Sequence, residues 1–367
     1  MNFLRLPFLP FEMIIKQMEL HEIFIFSLLS SKAQKTISLI RFPPNGIWFD
    51  CVSDDDTVKF ILEKAATEYH DVVFESFGPP NETVNRISMK IDGKRMECGV
   101  SINPSSGFPT LWLDESIRDS ISMSIHSYIC ELFNSSTDIQ LRVDLNNQHD
   151  LPNTKTLKNV TIQSLEYYNV YPETLNEFFG KYTITNRAVI ESQLYDNLEE
   201  DSAILKIDNL FIYNCSSFTE EDLINFKGVN GVFRGFNLFE DSIVEFIENW
   251  LNGDNNKLVS VVIMPFTFLQ AEKILPYFET YPFDPESRPE KFPMPNEIKY
   301  CQDPYNRIDR LFNSTGVDIV RESDGVLATI VVDNGKFAFF VWGQVIETRF
   351  EIIRNESGSD DSDNSNE

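Results

Sequence analysis

The apolar stretch from Leu6 to Lys32 constrains this chain most, because it carries more apolar surface than two short helices can bury against each other. Pro7 and Pro10 fix their own φ angles and push the preceding residues out of the α region, which predicts a stiff lead-in. Apolar side chains then recur at helical spacing. They predict one helix from Phe11 to Met18 and, after a polar break, a second from Ile23 to Leu29. Some of this surface is expected to contact another protein.

A set of short motifs runs through the same stretch, namely Leu6-Pro7, Ile14-Ile15, Met18, Ile23 and Phe26-Ser27-Leu28-Leu29-Ser30-Ser31-Lys32. This set resembles the F-box of nematode F-box proteins, a motif that docks on the Skp-type adaptor of a cullin ubiquitin ligase. The resemblance implies adaptor contacts by ten residues: Leu6, Pro7, Leu9, Pro10, Ile14, Ile15, Met18, Ile23, Phe26 and Leu29. The alternative is an ordinary helical hairpin packed on its own domain.

Composition limits the other possibilities. A chain of 367 residues with 42% hydrophobic and 13% aromatic residues is too apolar to be disordered. The formal net charge of −26 disfavours binding to nucleic acid or to an anionic membrane surface. The five cysteines are widely spaced and form no CxxC pair, which favours a reducing compartment, the cytoplasm and/or the nucleus. The longest apolar run, Leu258 to Leu269, is too short to span a membrane, which takes about 20 residues.

Three patterns follow the punctuation at Pro43-Pro44-Asn45-Gly46. The acidic run Asp54-Asp55-Asp56 predicts the first turn of a helix that continues through Val58, Ile61 and Leu62, since carboxylates favour the positive end of a helix dipole. Alternating apolar residues between Val84 and Ile102, with Asp92-Gly93 at the centre, predict a β-hairpin. A long amphipathic helix is predicted after Leu113-Asp114.

A strand-plus-helix pattern recurs in the second half of the chain. Leu210 to Asn214 predicts a strand, and Thr219 is the N-cap of the helix that follows it, with Asp222 in the capping-box position. The pattern repeats about 20 residues later with a helix from Phe239 to Gly253, and a strand from Leu258 to Met264 comes next. Strand and helix at this period are typical of leucine-rich-repeat solenoids.

A second resemblance rests on this region, through the runs Cys215-Ser216-Ser217-Phe218-Thr219-Glu220-Glu221-Asp222-Leu223 and Phe246-Ile247-Glu248-Asn249-Trp250-Leu251-Asn252-Gly253, the segments Val317 to Arg321 and Asp324 to Ile330, and Phe340-Val341-Trp342. These are similar to the type 2 F-box-associated domain of nematode F-box proteins. The chain departs from the family at Phe239, where Thr or Ser usually caps the helix. The fold class expected is α/β (α+β), a small helical F-box followed by a leucine-rich-repeat-like domain.

The resemblances and the punctuation predict four segments along the chain. Residues 3–43 would form the F-box and 44–136 a connecting hairpin and helix. Residues 137–353 would form the F-box-associated, substrate-recognition domain, and 354–367 a disordered acidic tail.

Catalytic signatures are missing from the sequence. It contains no GxGxxG, GxxxxGK[ST], HExxH or GxSxG motif, and its four histidines are isolated from one another. Neither a cofactor nor a metal is expected. The resemblance implies a non-enzymatic adaptor that binds a Skp-type adaptor, and through it a cullin, and brings an unknown protein substrate for ubiquitination. One alternative is a binding scaffold that assembles no ligase, and a more distant one is an enzyme of a new kind.

Strand alternation in the repeat region predicts a binding face for the target. If Leu210 and Ile212 point into the core, five other side chains share the opposite face: Phe211, Tyr213, Val232, Arg234 and Val262. Aromatic residues and Arg are enriched at interface hot spots. The alternative is that the N-terminal helices or the Val84 to Ile102 hairpin cover this face, which would make Phe211 and Tyr213 core residues.

Overall fold

The computed structural model is a mixed α/β protein in which most elements are strands. It describes residues 3–42, 46–52, 57–65, 68–77, 84–91, 93–102, 108–146, 151–163, 169–199, 201–253, 255–293, 311–333 and 335–342. The chain divides into two compact units, one of Met1–Val170 with Glu177–Ser192 and one of Tyr171–Asn176 with Gln193–Glu367. The predicted boundaries at 43/44 and 136/137 lie inside the first unit, and the predicted tail 354–367 lies outside the described residues.

Three short helices open the first unit: α1 (Phe8–Ile15), α2 (Leu20–Leu28) and α3 (Ser31–Ile37). The first two confirm the predicted pair, although α1 begins before Pro10 rather than after it. Pro10 fits in the first turn because residues there have no intrahelical N–H bond to lose. Ser30 caps α3, since its Oγ accepts a backbone N–H of the first turn at 3.1 Å.

The remaining elements of the first unit are mainly strands: β1 (Ile47–Cys51), β2 (Thr57–Ala65), β3 (Glu68–Phe77), β4 (Asn85–Ile91), β5 (Lys94–Ile102), β6 (Pro109–Leu113), α4 (Arg118–Phe133), β7 (Gln140–Val143), β8 (Thr156–Ile162) and β9 (Thr183–Ile190). Helix α5 (Pro172–Lys181) precedes β9, and the division between the units falls within it. The strands pair in the order β9-β8-β7-β1-β2-β3-β6-β5-β4. Neighbours from β9 to β1 are parallel, as are β3 and β6, and the other pairs are antiparallel.

Two of the three patterns predicted in this region are confirmed and one is wrong. Strands β4 and β5 form the hairpin, with Gly93 at φ 74° in its turn, and α4 is the long helix. The helix predicted from Val58 to Leu62 is instead strand β2, paired antiparallel with β1. Val58, Phe60 and Leu62 are all buried, and so is Ile61 between them. The three consecutive apolar residues Phe60, Ile61 and Leu62 interrupt the alternation of a strand, and periodicity cannot distinguish so short an apolar run from part of a buried helix.

Helix α4 forms the centre of the first unit's core. Its His126 ring stacks on Phe49 of β1 with centroids 4.8 Å apart, and its Tyr128 ring meets Phe24 of α2 edge to face at 6.0 Å. The Tyr128 hydroxyl also hydrogen-bonds the Ser27 hydroxyl at 2.8 Å. Burial raises the pKa of Tyr128 to about 12. The N-terminal helices are therefore anchored to the sheet through α4.

The second unit contains β10 (Asn209–Ile212), α6 (Glu220–Ile224), β11 (Asn230–Phe236), α7 (Glu240–Asn252), β12 (Ser260–Pro265), α8 (Ala271–Ile274), β13 (Lys291–Pro293), β14 (Leu311–Asn313), β15 (Val317–Arg321), β16 (Val326–Asp333) and β17 (Lys336–Val341). Strands β10, β11 and β12 are parallel, so a crossover connection must join β10 to β11 and β11 to β12. Strand β12 pairs antiparallel with β17, β17 with β16, and β16 with β15. Strands β13 and β14 form a separate antiparallel pair.

The helix signals of the second unit are confirmed in part. Thr219 and Asp222 form the predicted capping box of α6, with Thr219 N–H to Asp222 Oδ2 at 2.7 Å and Asp222 N–H to Thr219 Oγ1 at 3.2 Å. Helix α7 packs through Phe246 and Trp250, whose rings lie 5.5 and 5.1 Å from Phe339 of β17. Phe239 holds the N-cap position of α7 without a side-chain hydrogen bond.

Buried polar side chains are hydrogen-bonded across neighbouring parallel strands, and in the second unit they form a ladder at the starts of β10, β11 and β12 that no sequence pattern predicted. In the second unit Asn230 Nδ2 donates to Asn209 Oδ1 at 2.8 Å, and Ser260 Oγ donates to Asn230 Oδ1 at 2.7 Å. In the first unit Asn159 Nδ2 donates to Gln140 Oε1. These side chains lie on neighbouring parallel strands and satisfy one another away from water. The ladder thereby fixes the register of the parallel strands.

Candidate functional site

The ten residues expected to contact an adaptor divide by exposure. Ile15 and Ile23 are buried in the first unit, at 0% and 1% exposed. Leu9 and Leu29 are both 70% exposed. The others are exposed (Pro7, Pro10 and Ile14) or half-buried (Leu6, Met18 and Phe26). The structure therefore presents only part of the predicted set to a partner.

Helix α1 is apolar on both sides. Phe11 and Ile15, one turn apart, face inward. Leu9 and Met13, also one turn apart, are 70% and 69% exposed, and Phe8 and Ile14 are exposed at 44% and 39%. We call Phe8, Leu9, Met13 and Ile14 the α1 surface. A surface helix normally turns polar residues to water, so an apolar outer face indicates contact with another molecule.

Phe8 and Met13 were not among the predicted contacts. The helical spacing of Phe11, Ile14, Ile15 and Met18 predicts one apolar face, although the structure exposes Ile14 of this set. The signal that would have found the outer face is the composition of α1, whose eight residues Phe8–Ile15 include a single charged side chain, Glu12. Glu12 is held by Lys16 one turn later at 2.7 Å.

The structure contradicts the prediction of an exposed strand face for target binding. Phe211, Val232 and Val262 are 2%, 5% and 0% exposed, and Tyr213 and Arg234 are half-buried. The hypothesis of an open binding surface here is wrong, because parallel sheets bury both of their faces. The register places Val262 beside Ala338 and Ser260 beside Phe340 on this face, and the Phe292 ring of β13 stacks on Phe340 at 4.3 Å.

The part of this face around Phe340 is covered by the segment that carries β13. A buried charge pair fixes this segment. Arg288 Nε donates to Asp318 at 2.8 Å, and the Arg288 guanidinium lies 5.2 Å from the centre of the Trp342 ring. The second unit thus uses its own chain to close this face.

Cys130 and His126 lie close together, but both are buried and neutral. Cys130 Sγ lies 3.6 Å from His126 Nε2, but burial raises the pKa of Cys130 to about 12 and lowers the pKa of His126 to about 4. A neutral thiol beside a neutral imidazole lacks the thiolate that a cysteine nucleophile needs. Across the described ranges, no three His, Cys, Asp or Glu side chains come together as a metal site. No helix among those ranges has the length and apolarity that crossing a membrane requires.

The fold and the α1 surface therefore define a mixed α/β protein with an apolar surface suited to protein contacts. Its sequence is similar to that of F59B2.8, an uncharacterized protein of Caenorhabditis elegans, with 23% identity over 350 residues. The match covers 92% of this chain and 77% of the nematode protein. No protein-family model and no solved structure matches the chain.

Proposed function

We propose that this chain is a substrate-recognition adaptor of a Skp–cullin–F-box ubiquitin ligase. The α1 surface carries the proposal, because α1 keeps four apolar side chains in water while Phe11 and Ile15 anchor the helix to the body. The F-box resemblance, whose expected adaptor contacts include Leu9 and Ile14 of this surface, implies a Skp-type adaptor as the partner. The similarity to a nematode protein along 92% of the chain agrees with a nematode family.

The second unit is the substrate-recognition part of this proposal. Its parallel strands β10, β11 and β12, joined through α6 and α7 and tied by a polar ladder at their starts, support a leucine-rich-repeat-like reading. Such units usually bind other proteins rather than perform chemistry. The buried, neutral Cys130 and His126 fit a role without catalysis.

A pull-down with purified Skp-type adaptor tests the proposal. The variant Leu9→Ser with Met13→Ser changes only exposed side chains, so it should keep its fold and lose adaptor binding by about tenfold or more. Ile102→Ser is the matched control, since Ile102 is 62% exposed and lies at the end of β5. Ile15→Ala is unsuitable as a test because Ile15 is a core residue.

Two results would contradict the proposal, one for the ligase and one for the α1 surface. Failure of the unmodified chain to bind the adaptor would leave the binding scaffold as the better description. Equal adaptor binding by the unmodified chain and by the Leu9→Ser, Met13→Ser variant would exclude the α1 surface as the contact.

A further inference from the structure

Three phenylalanines of the second unit project into water on two neighbouring loops. Phe239 follows β11 and is 67% exposed, while Phe266 and Phe268 follow β12 and are 67% and 78% exposed. We call these three residues the aromatic surface. Large aromatic rings rarely stay this exposed in groups unless they contact another molecule.

Hydrogen bonds hold the two loops side by side. The Phe266 N–H donates to Phe236 O at 3.2 Å, and Thr267 Oγ1 donates to Leu238 O at 3.0 Å. Further along, the Gln270 N–H donates to Glu240 Oε1 at 3.2 Å. The loop after β12 is thus hydrogen-bonded to the loop after β11 at three points, which places the three phenylalanines at the end of the sheet where β11 and β12 finish.

A glycine positions one of these rings. Gly235 has φ +71°, a conformation that favours glycine, and a Cβ added there would lie 2.9 Å from the Phe266 ring. The ring therefore lies directly over the backbone of β11. This support orders the side chain while leaving most of it in water.

Stability does not explain Phe239. It occupies the N-cap of α7, where Ser, Thr, Asp or Asn would accept a backbone N–H and stabilise the helix. Its own side chain supplies no such acceptor and is not buried either. A residue that breaks a local rule without a structural gain is expected at a functional site.

The charges around the aromatic surface are mainly negative. Exposed carboxylates lie in the first turns of the helices that follow the two loops, Asp241 of α7 and Glu272 of α8. Lys273 is a cation of α8, and its Nζ lies 3.6 Å from Glu240 Oε1. The whole chain has a formal net charge of −26. Aromatic faces flanked by carboxylates complement Arg and Lys side chains, which bind ring faces through their charge and apolar surfaces through their stems.

We propose that the aromatic surface binds a basic, extended segment of another protein, in which Arg or Lys alternates with apolar residues. The description of that protein as a ubiquitination target rests on the proposed function above. The binding itself does not, since it needs neither a Skp-type adaptor nor a ligase.

Fluorescence anisotropy with defined peptides tests this proposal on the full chain. The probe is a labelled peptide of four alternating Arg-Leu pairs, and its counterpart has Glu in place of Arg. The Arg peptide should bind, the Glu peptide should not, and added salt should weaken binding. Phe239→Ser with Phe268→Ser should weaken binding about tenfold or more, because each ring contributes to a small contact. Phe239→Ser alone should not lower the melting temperature, since Ser restores a cap.

Leu9→Ser with Met13→Ser is the matched control, because it removes equally exposed apolar side chains from the first unit. It should keep peptide binding, and the Phe239→Ser, Phe268→Ser variant should keep adaptor binding. Unchanged affinity of that phenylalanine variant for the Arg peptide would overturn the proposal. Equal binding of the Glu peptide would also overturn it. If sedimentation shows a dimer that the phenylalanine variant abolishes, the aromatic surface binds a second copy and the proposal fails.

Discussion

Asp318→Ala is expected to destabilise the second unit by about 3–5 kcal/mol, because it leaves the Arg288 guanidinium buried without a counterion. The two side chains are 5% and 0% exposed, and Arg288 Nε reaches both Asp318 oxygens, at 2.8 and 3.0 Å. Thr329 Oγ1 donates to the same carboxylate at 2.6 Å, and Trp342 Nε1 donates to Thr329 at 2.7 Å. The substitution therefore breaks a connected network.

The magnitude follows from what is lost. Hydrogen bonds to a charged group contribute about 1.5–3 kcal/mol each, and Asp318→Ala removes those from Arg288 and Thr329. Replacing both charged residues, by Arg288→Met with Asp318→Leu, removes the unpaired charge as well as the pair. The double variant should therefore recover most of the lost stability.

Urea unfolding of the full chain, followed by tryptophan fluorescence and circular dichroism, measures both effects. Asp138→Ala is the control, since Asp138 pairs with Lys158 at 2.7 Å with side chains 50% and 43% exposed. Its cost should stay below about 1 kcal/mol. The reasoning is refuted if Asp318→Ala costs no more than Asp138→Ala, or if the double variant is less stable than Asp318→Ala.

Three further predictions concern the buried polar groups. Burial lowers the pKa of His126 to about 4 in the native state, whereas the unfolded state binds a proton there below about pH 6.5. The free energy of unfolding should therefore fall by up to about 3 kcal/mol as the pH drops from 6.5 to 4, and His126→Gln should reduce this fall in urea unfolding measured against pH. Burial raises the pKa values of the Cys98, Cys130 and Cys215 thiols, so iodoacetamide at pH 8 should modify these three cysteines only after denaturation. Mass spectrometry measures this, and modification of any of the three in the native chain would contradict their burial. Asn230→Ala should cost about 1–3 kcal/mol in urea unfolding because it removes the buried hydrogen bonds that Asn230 makes to Asn209 and Ser260, and a cost near zero would mean that water replaces them.

Local signals in the sequence predicted much of the fold. The hairpin around Gly93, the helix α4 and the capping box at Thr219 all depend on residues close together in the chain, so short-range pattern was sufficient. Strand β2 was misread because Phe60, Ile61 and Leu62 are buried in succession, which interrupts the alternation that identifies a strand. The prediction of a binding face around Phe211 failed because one covered face was assumed where there are two.

The candidate surfaces were harder to predict. Helical spacing placed Ile15 on the first helix and left Leu9 in the lead-in before it, and it could not say which face of the helix turns inward. The structure includes both residues in α1, burying Ile15 and exposing Leu9. The aromatic surface lies on loops, where no periodicity reveals it. Its one sequence signal was Phe239 at a cap position, which indicated a missing cap rather than a binding residue.

The polar ladder has a consequence for how this chain tolerates change in length. Asn209, Asn230 and Ser260 align the starts of three strands, yet the connection from Asn230 to Ser260 is longer than the one before it. The alignment of the strand starts is thus independent of the number of residues in the connection between them. Insertions and deletions in related chains should therefore accumulate in the helices and loops between strands, while the polar residue at each strand start keeps its place.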